Sequence, residues 1–152
     1  GLPSPGTMVK ELPLKVVKDS QTEVKSDERL IKVGDKEYYY DDGVFYKALP
    51  NGNYVVVPAP VDARVARIPE DSYKLNMQGK PYYYFLGTYY DLDLDQGNFV
   101  VVKPKPGIVV PLLPEGTSIE YLENKKFYVF NEVYYRTCIL NSGIVFMVKK
   151  VL

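Results

Sequence analysis

The chain has 152 residues, with 19 lysines and arginines against 19 aspartates and glutamates, no histidine, no tryptophan and one cysteine. That length suits one medium domain or a short array of small ones, and it buries enough surface to need no disulfide or metal staple. A neutral chain with no basic block lacks the face a nucleic-acid binder needs, and without histidine it lacks the base for Ser-His or Cys-His catalysis.

The lone Cys138 excludes an intrachain disulfide and, with no histidine beside it, a zinc site. It sits in a strand-like run, RTCIL, where a small buried hydrophobe is expected rather than a reactive thiol. No apolar run approaches the ~18 residues of a membrane helix, so no transmembrane segment is expected. The glycines are spaced singly, as in turns, rather than gathered into a phosphate loop, and no cofactor is expected.

Residues 1–12 open with Gly1, Pro3, Pro5 and Gly6 and read as a tether of the kind that follows a removed export segment. Residues 13–33 hold two apolar patches, LKVV and RLIKV, split by a polar stretch. Helix propensity is present there, but strands are preferred because the segment aligns with the first half of later repeats, with Lys25 in the place of Pro69 and Pro114.

From Lys32 onward the chain repeats itself. YYYDDGVFYKALPNGNYVVV (38–57) returns as YYYFLGTYYDLDLDQGNFVVV (82–102) and, altered, as FYVFNEVYYRTCILNSGIVFMV (127–148). Tyr46, Tyr90 and Tyr135 align, in steps of 44 and 45 residues, as do Tyr54, Phe99 and Ile144. An internal period of this size fixes architecture before any local reading.

Aromatic and β-branched runs between turn signals predict strands. Turns are expected at Gly34-Asp35, Asp41-Asp42-Gly43, Asn51-Gly52, Gln78-Gly79, Leu86-Gly87, Gln96-Gly97, Glu123-Asn124, Asn131-Glu132 and Asn141-Ser142-Gly143. The proline-rich links 58–71 and 104–116 are expected as edge strands or extended crossings, with Val65 and Val109 or Val110 pointing inward.

The fold class is therefore all-β: antiparallel hairpins in three tandem repeats, cut as 13–57, 58–102 and 103–152. Small barrel-like units or one curled meander rank above a trefoil-like closure.

The pattern G-K/D-x-x-YYY-x-x-G-x-x-YY, then G-N-Y/F-VVV-x-P, then V-x-x-x-LP/IP-E resembles the tyrosine- and valine-rich repeats of a bacterial, Bacteroides-type family of unknown function. The resemblance covers residues 30–148 and implies export to the periplasm or cell surface. It supplies no catalytic residues.

Two groups of side chains are candidates for a site. Tyr39 and Tyr83, with Tyr46, Tyr90 and Tyr135, are candidate ligand-binding residues, since exposed tyrosine rings stack on sugars or pack against proteins. The bland alternative is cross-strand pairing over a thin core. Asp91, Asp93 and Asp95 in DLDLDQGN alternate as a strand face would show them, giving either a cation site or a solvated face. They miss the helix–loop–helix calcium pattern, with Gln96 where glycine is required and Val102 where glutamate is.

These features lead to a non-enzymatic binding or scaffolding module whose partner is a glycan, peptidoglycan or an envelope protein. A purely structural spacer is the second reading. A carboxylate-dependent hydrolase is the third, and it requires acids from separate repeats to converge.

Overall fold

A computed structural model describes residues 2–12 and 29–152. Its elements there are all strands, in three antiparallel five-stranded sheets. The first holds β1 (Met8–Val9), β2 (Leu30–Val33), β3 (Lys36–Asp41), β4 (Val44–Ala48) and β5 (Tyr54–Val57). The second holds β6 (Arg64–Val65), β7 (Tyr73–Met77), β8 (Lys80–Phe85), β9 (Thr88–Asp93) and β10 (Asn98–Val102). The third holds β11 (Val109–Val110), β12 (Ser118–Leu122), β13 (Lys125–Phe130), β14 (Val133–Leu140) and β15 (Gly143–Val151).

Each sheet is a four-stranded meander whose last strand also pairs with the short leading strand, as in β1-β5-β4-β3-β2. Among the described residues the three sheets are separate, forming neither one continuous meander nor a trefoil, and none of them closes into a barrel.

The turns follow backbone chemistry. Asp42-Gly43, Gln78-Gly79, Leu86-Gly87, Glu123-Asn124, Asn131-Glu132 and Asn141-Ser142 each have positive φ at both positions, which a two-residue hairpin with right-twisted strands requires. At Asn51-Gly52 only Gly52 is positive, at +85°. The link there is a longer loop closed by Leu49 N–H to Asn53 O and Gly52 N–H to Leu49 O, not the two-residue hairpin its sequence suggests.

The stretch read as a tether does more than that over residues 2–12. Gly6 and Thr7 bond the backbone of Val56, Met8–Val9 pairs with β5, and Leu12 is buried. The prolines and Gly6 break the chain only ahead of that strand. The leading strands are equivalent: Leu12, Ile68 and Leu113 each stand three residues past one. The link to the next strand runs from 9 to 30 in the first repeat, against 65 to 73 and 110 to 118 in the others. The extra length falls on 13–28, so the alignment of Lys25 lies outside the described residues.

Register confirms one equivalence and corrects another. Tyr46, Tyr90 and Tyr135 pair with Val56, Val101 and Val148. Two residues further along, Ala48, Leu92 and Thr137 pair with Tyr54, Phe99 and Phe146, so Phe146 rather than Ile144 is the third member. The third hairpin is longer than its counterparts, and this displaced the alignment of the sequence.

Two core clusters lie between sheets, and a third, of Leu12, Val44, Tyr46 and Val56, lies on the far face of the first sheet. Phe45, Ile31, Val33 and Tyr40 of the first repeat pack against Ala63, Val65, Tyr90 and Val101 of the second. Met77, Tyr84 and Tyr89 of the second pack against Val110, Tyr135 and Val148 of the third. One face of each sheet meets the opposite face of the next, so a middle repeat is apolar on both. In that repeat the YYY run, 82–84, places rings on two apolar faces where strict polar alternation would otherwise stand.

Candidate functional site

Of the five tyrosines singled out in the sequence, Tyr83, Tyr90 and Tyr135 pack at the junctions between repeats, and Tyr39 and Tyr46 pack within the first repeat beside Leu12, Val44 and Val56. Tyr46, Tyr90 and Tyr135 are buried, the last two completely, so none of the three is presented to a ligand. Tyr39 and Tyr83 are half-buried, each against a core cluster, and meet Tyr54 and Phe99 edge-to-face at 5.5 and 5.6 Å. Tyr128 meets Phe146 in the same way in the third repeat, at 5.6 Å. Such pairs contribute about 0.5–1.5 kcal/mol each beyond area burial.

Hydroxyls link one repeat to the next. Tyr40 donates to the backbone carbonyl of Arg67 at 2.8 Å, and the equivalent Tyr84 donates to that of Leu112. Val129 holds this position in the third repeat and has no hydroxyl to offer. Tyr89 and Tyr135 share a buried hydrogen bond of 2.8 Å. At the first junction Phe45 replaces Tyr89, and the Tyr90 hydroxyl, beside that of Tyr40, finds no partner at hydrogen-bonding geometry. Burial pushes the pKa of Tyr40 and of Tyr135 up to about 12, and raises Tyr84, Tyr89 and Tyr90 further.

The turn glycines carry a second link that the sequence pattern did not reveal. A Cβ on Gly43 would lie 2.6 Å from the Phe85 ring and 2.8 Å from Pro69; one on Gly87 would lie 2.4 Å from the Phe130 ring. Each β3–β4-type turn is thus seated under a phenylalanine of the following repeat. The ends of the stack depart from this rule. Asp41 occupies the phenylalanine position in the first repeat, and Glu132 the glycine position in the third. Arg136 and Lys150 instead cover the rings of Phe127 and Tyr134 on the last sheet, at 5.9 and 5.7 Å. A polar outer face of the kind seen on the last sheet caps repeat arrays, whereas the far face of the first sheet is apolar, with Val44, Tyr46 and Val56 buried beside Leu12.

Two clefts cross the repeats. One, of about 250 Å³, is lined by Phe45, Phe85, Leu113, Pro114 and Phe130 and bordered by the strap Leu2–Pro5, whose Ser4 hydroxyl donates to Glu115 O at 3.2 Å. The strap thereby ties the first repeat to the third. The other, of about 630 Å³, is lined by Tyr38, Lys36, Lys47, Lys103 and prolines 58, 60 and 104. The first suits an apolar group and the second an anionic or extended one.

The aspartates do not gather. Asp93 accepts from Arg64 at 2.8 Å and caps the turn through the backbone N–H groups of Asp95 and Gln96, and the arginine contact holds its carboxyl below the usual range. The strand ends at Asp93, so Asp95 belongs to the turn rather than to one strand face with Asp91. Among the described residues no three carboxylate or cysteine side chains form a group that could hold a metal ion.

The model of the family of unknown function DUF6515 matches residues 5–151. The chain belongs to that family. No curated protein and no solved structure matches it. The DUF6515 match begins within the strap, ahead of β1, so the family unit takes in all three sheets.

Proposed function

We propose that this DUF6515 chain is a non-enzymatic binding and scaffolding module of the bacterial cell envelope. The observation that supports this best is the use of tyrosines and of phenylalanine-covered turn glycines as joints at both internal junctions. Such a stack is a stiff body on which clefts and loops are held at fixed positions.

Burial of Tyr46, Tyr90 and Tyr135 shifts the weight from a glycan or peptidoglycan towards a protein or surface partner. The spacer reading gains little. Three sheets about 10 Å apart, each about 24 Å across its five strands, make a block rather than a rod. The envelope setting rests on the resemblance of the repeat to exported proteins.

Fractionation of the native host with an antibody to the chain tests the setting, and incubation with a glycan and glycoside panel, read by mass spectrometry, tests the chemistry. The reading expects the chain in the envelope fraction and every substrate unchanged. A cytoplasmic chain, or turnover lost on substituting one carboxylate, contradicts it.

A further inference from the structure

The third repeat carries an exposed apolar end that the other two lack. Its β14–β15 hairpin, of eight and nine residues, is longer than its counterparts, and its tip shows Ile139, Leu140 and Ile144 at 80%, 54% and 67% exposure. Tyr121 and Leu122 are exposed beside the β12–β13 turn, at the same end of that sheet. From Thr137 to Val148 the chain holds no charge. Residues 103–152 hold seven lysines and arginines against four glutamates, in a chain that is neutral overall.

We propose that this hairpin docks the protein on an anionic lipid surface. Three features favour lipid over a protein partner. Ile139 and Ile144 pair on one face of the hairpin, while Leu140 is on the other, so apolar groups surround the tip. A partner docked on one face leaves the opposite one wet, whereas a lipid layer encloses both. The three side chains lie within about 7 Å of the turn along the strand, which matches the roughly 5–10 Å to which interfacial segments sink. Lys125, Lys126 and Arg136 stand just behind them, level with residues 136–138, where headgroup phosphates would lie, and outnumber Glu120 and Glu123 nearby. The second repeat offers a built-in control, because its shorter tip exposes Leu94 at 82% beside Asp93 and Asp95.

Flotation of the full chain with vesicles of phosphatidylglycerol and phosphatidylcholine, against phosphatidylcholine alone, tests this. Binding to the mixed vesicles is expected, with a loss of at least tenfold in Ile139→Asp/Ile144→Asp and none in Leu94→Asp. Both sites are surface-exposed, and unchanged circular dichroism checks the fold. No binding, binding untouched by the double substitution, equal binding to neutral vesicles, or a solution dimer that the double substitution dissociates overturns the proposal. The scaffolding reading can stand if it does, since that reading rests on the stack.

Discussion

Gly87→Ala isolates the contact between repeats from the strain of the turn. Gly87 has φ +91°, and an added Cβ would meet Phe130 Cε2 at 2.4 Å, Cδ2 at 2.6 Å and Pro114 Cγ at 3.3 Å. The left-handed conformation alone costs an L-residue about 1 kcal/mol. The chain tolerates that cost at the equivalent Glu132, which holds φ +65° with a full side chain. Overpacking the Phe130 ring adds roughly 1–3 kcal/mol, so the expected loss is about 2–4 kcal/mol. Gly52→Ala is the reference, since Gly52 has φ +85° but an added Cβ there would meet nothing within 4 Å, and it should lose only about 1 kcal/mol. Urea unfolding of both variants measures the difference as a shift in midpoint at constant slope. Equal losses in the two would refute the claim that Gly87 is glycine for reasons of space.

The two junctions should answer hydroxyl deletion in opposite ways. Tyr135→Phe strands the buried Tyr89 hydroxyl and should cost about 1–3 kcal/mol, whereas Tyr90→Phe removes a buried hydroxyl without a partner and should be neutral or stabilising by up to about 1 kcal/mol. Thermal melts rank them, and a Tyr90→Phe variant weaker than Tyr135→Phe contradicts the assignment.

Alkaline stability follows from the same burial. Tyr40 and Tyr135 titrate near 12 in the folded chain and near 10 once unfolded, so their contribution is complete below about pH 10 and is lost as pH rises towards 12. Tyrosinate absorbance from the buried rings should rise together with loss of the β-sheet signal. A buried fraction ionising well before unfolding argues against these positions.

The hairpins at Asp42-Gly43, Gln78-Gly79 and Asn131-Glu132 were legible because such pairs between β-rich runs have few other uses, whereas Asn51-Gly52 and Gln96-Gly97 lie in longer turns; the period fixed three tandem units. What escaped was the direction in which the sheets face. YYY on a strand shows rings on both sides, and a sequence cannot say whether the second side meets water or another sheet. Stacking supplied the answer, and it turned Tyr90 and Tyr135 from candidate ligand contacts into core. The signal for it was present in the departures from the repeat: Asp41 against Phe85 and Phe130, and Glu132 against Gly43 and Gly87, mark where the stack starts and stops. The aspartates misled for a local reason, since Asp93 is the last residue of its strand and its carboxylate serves the turn.

The central claim is that the repeats stack through turn glycines seated under the next repeat's phenylalanine. Nuclear Overhauser contacts between the Gly43 α-protons and the Phe85 ring, and between those of Gly87 and the Phe130 ring, test it most directly. The account expects both contacts, with no ring contact from Gly52 or Gly79, where an added Cβ would meet nothing within 4 Å. A folded chain that lacks the Gly43 and Gly87 contacts would contradict the stack.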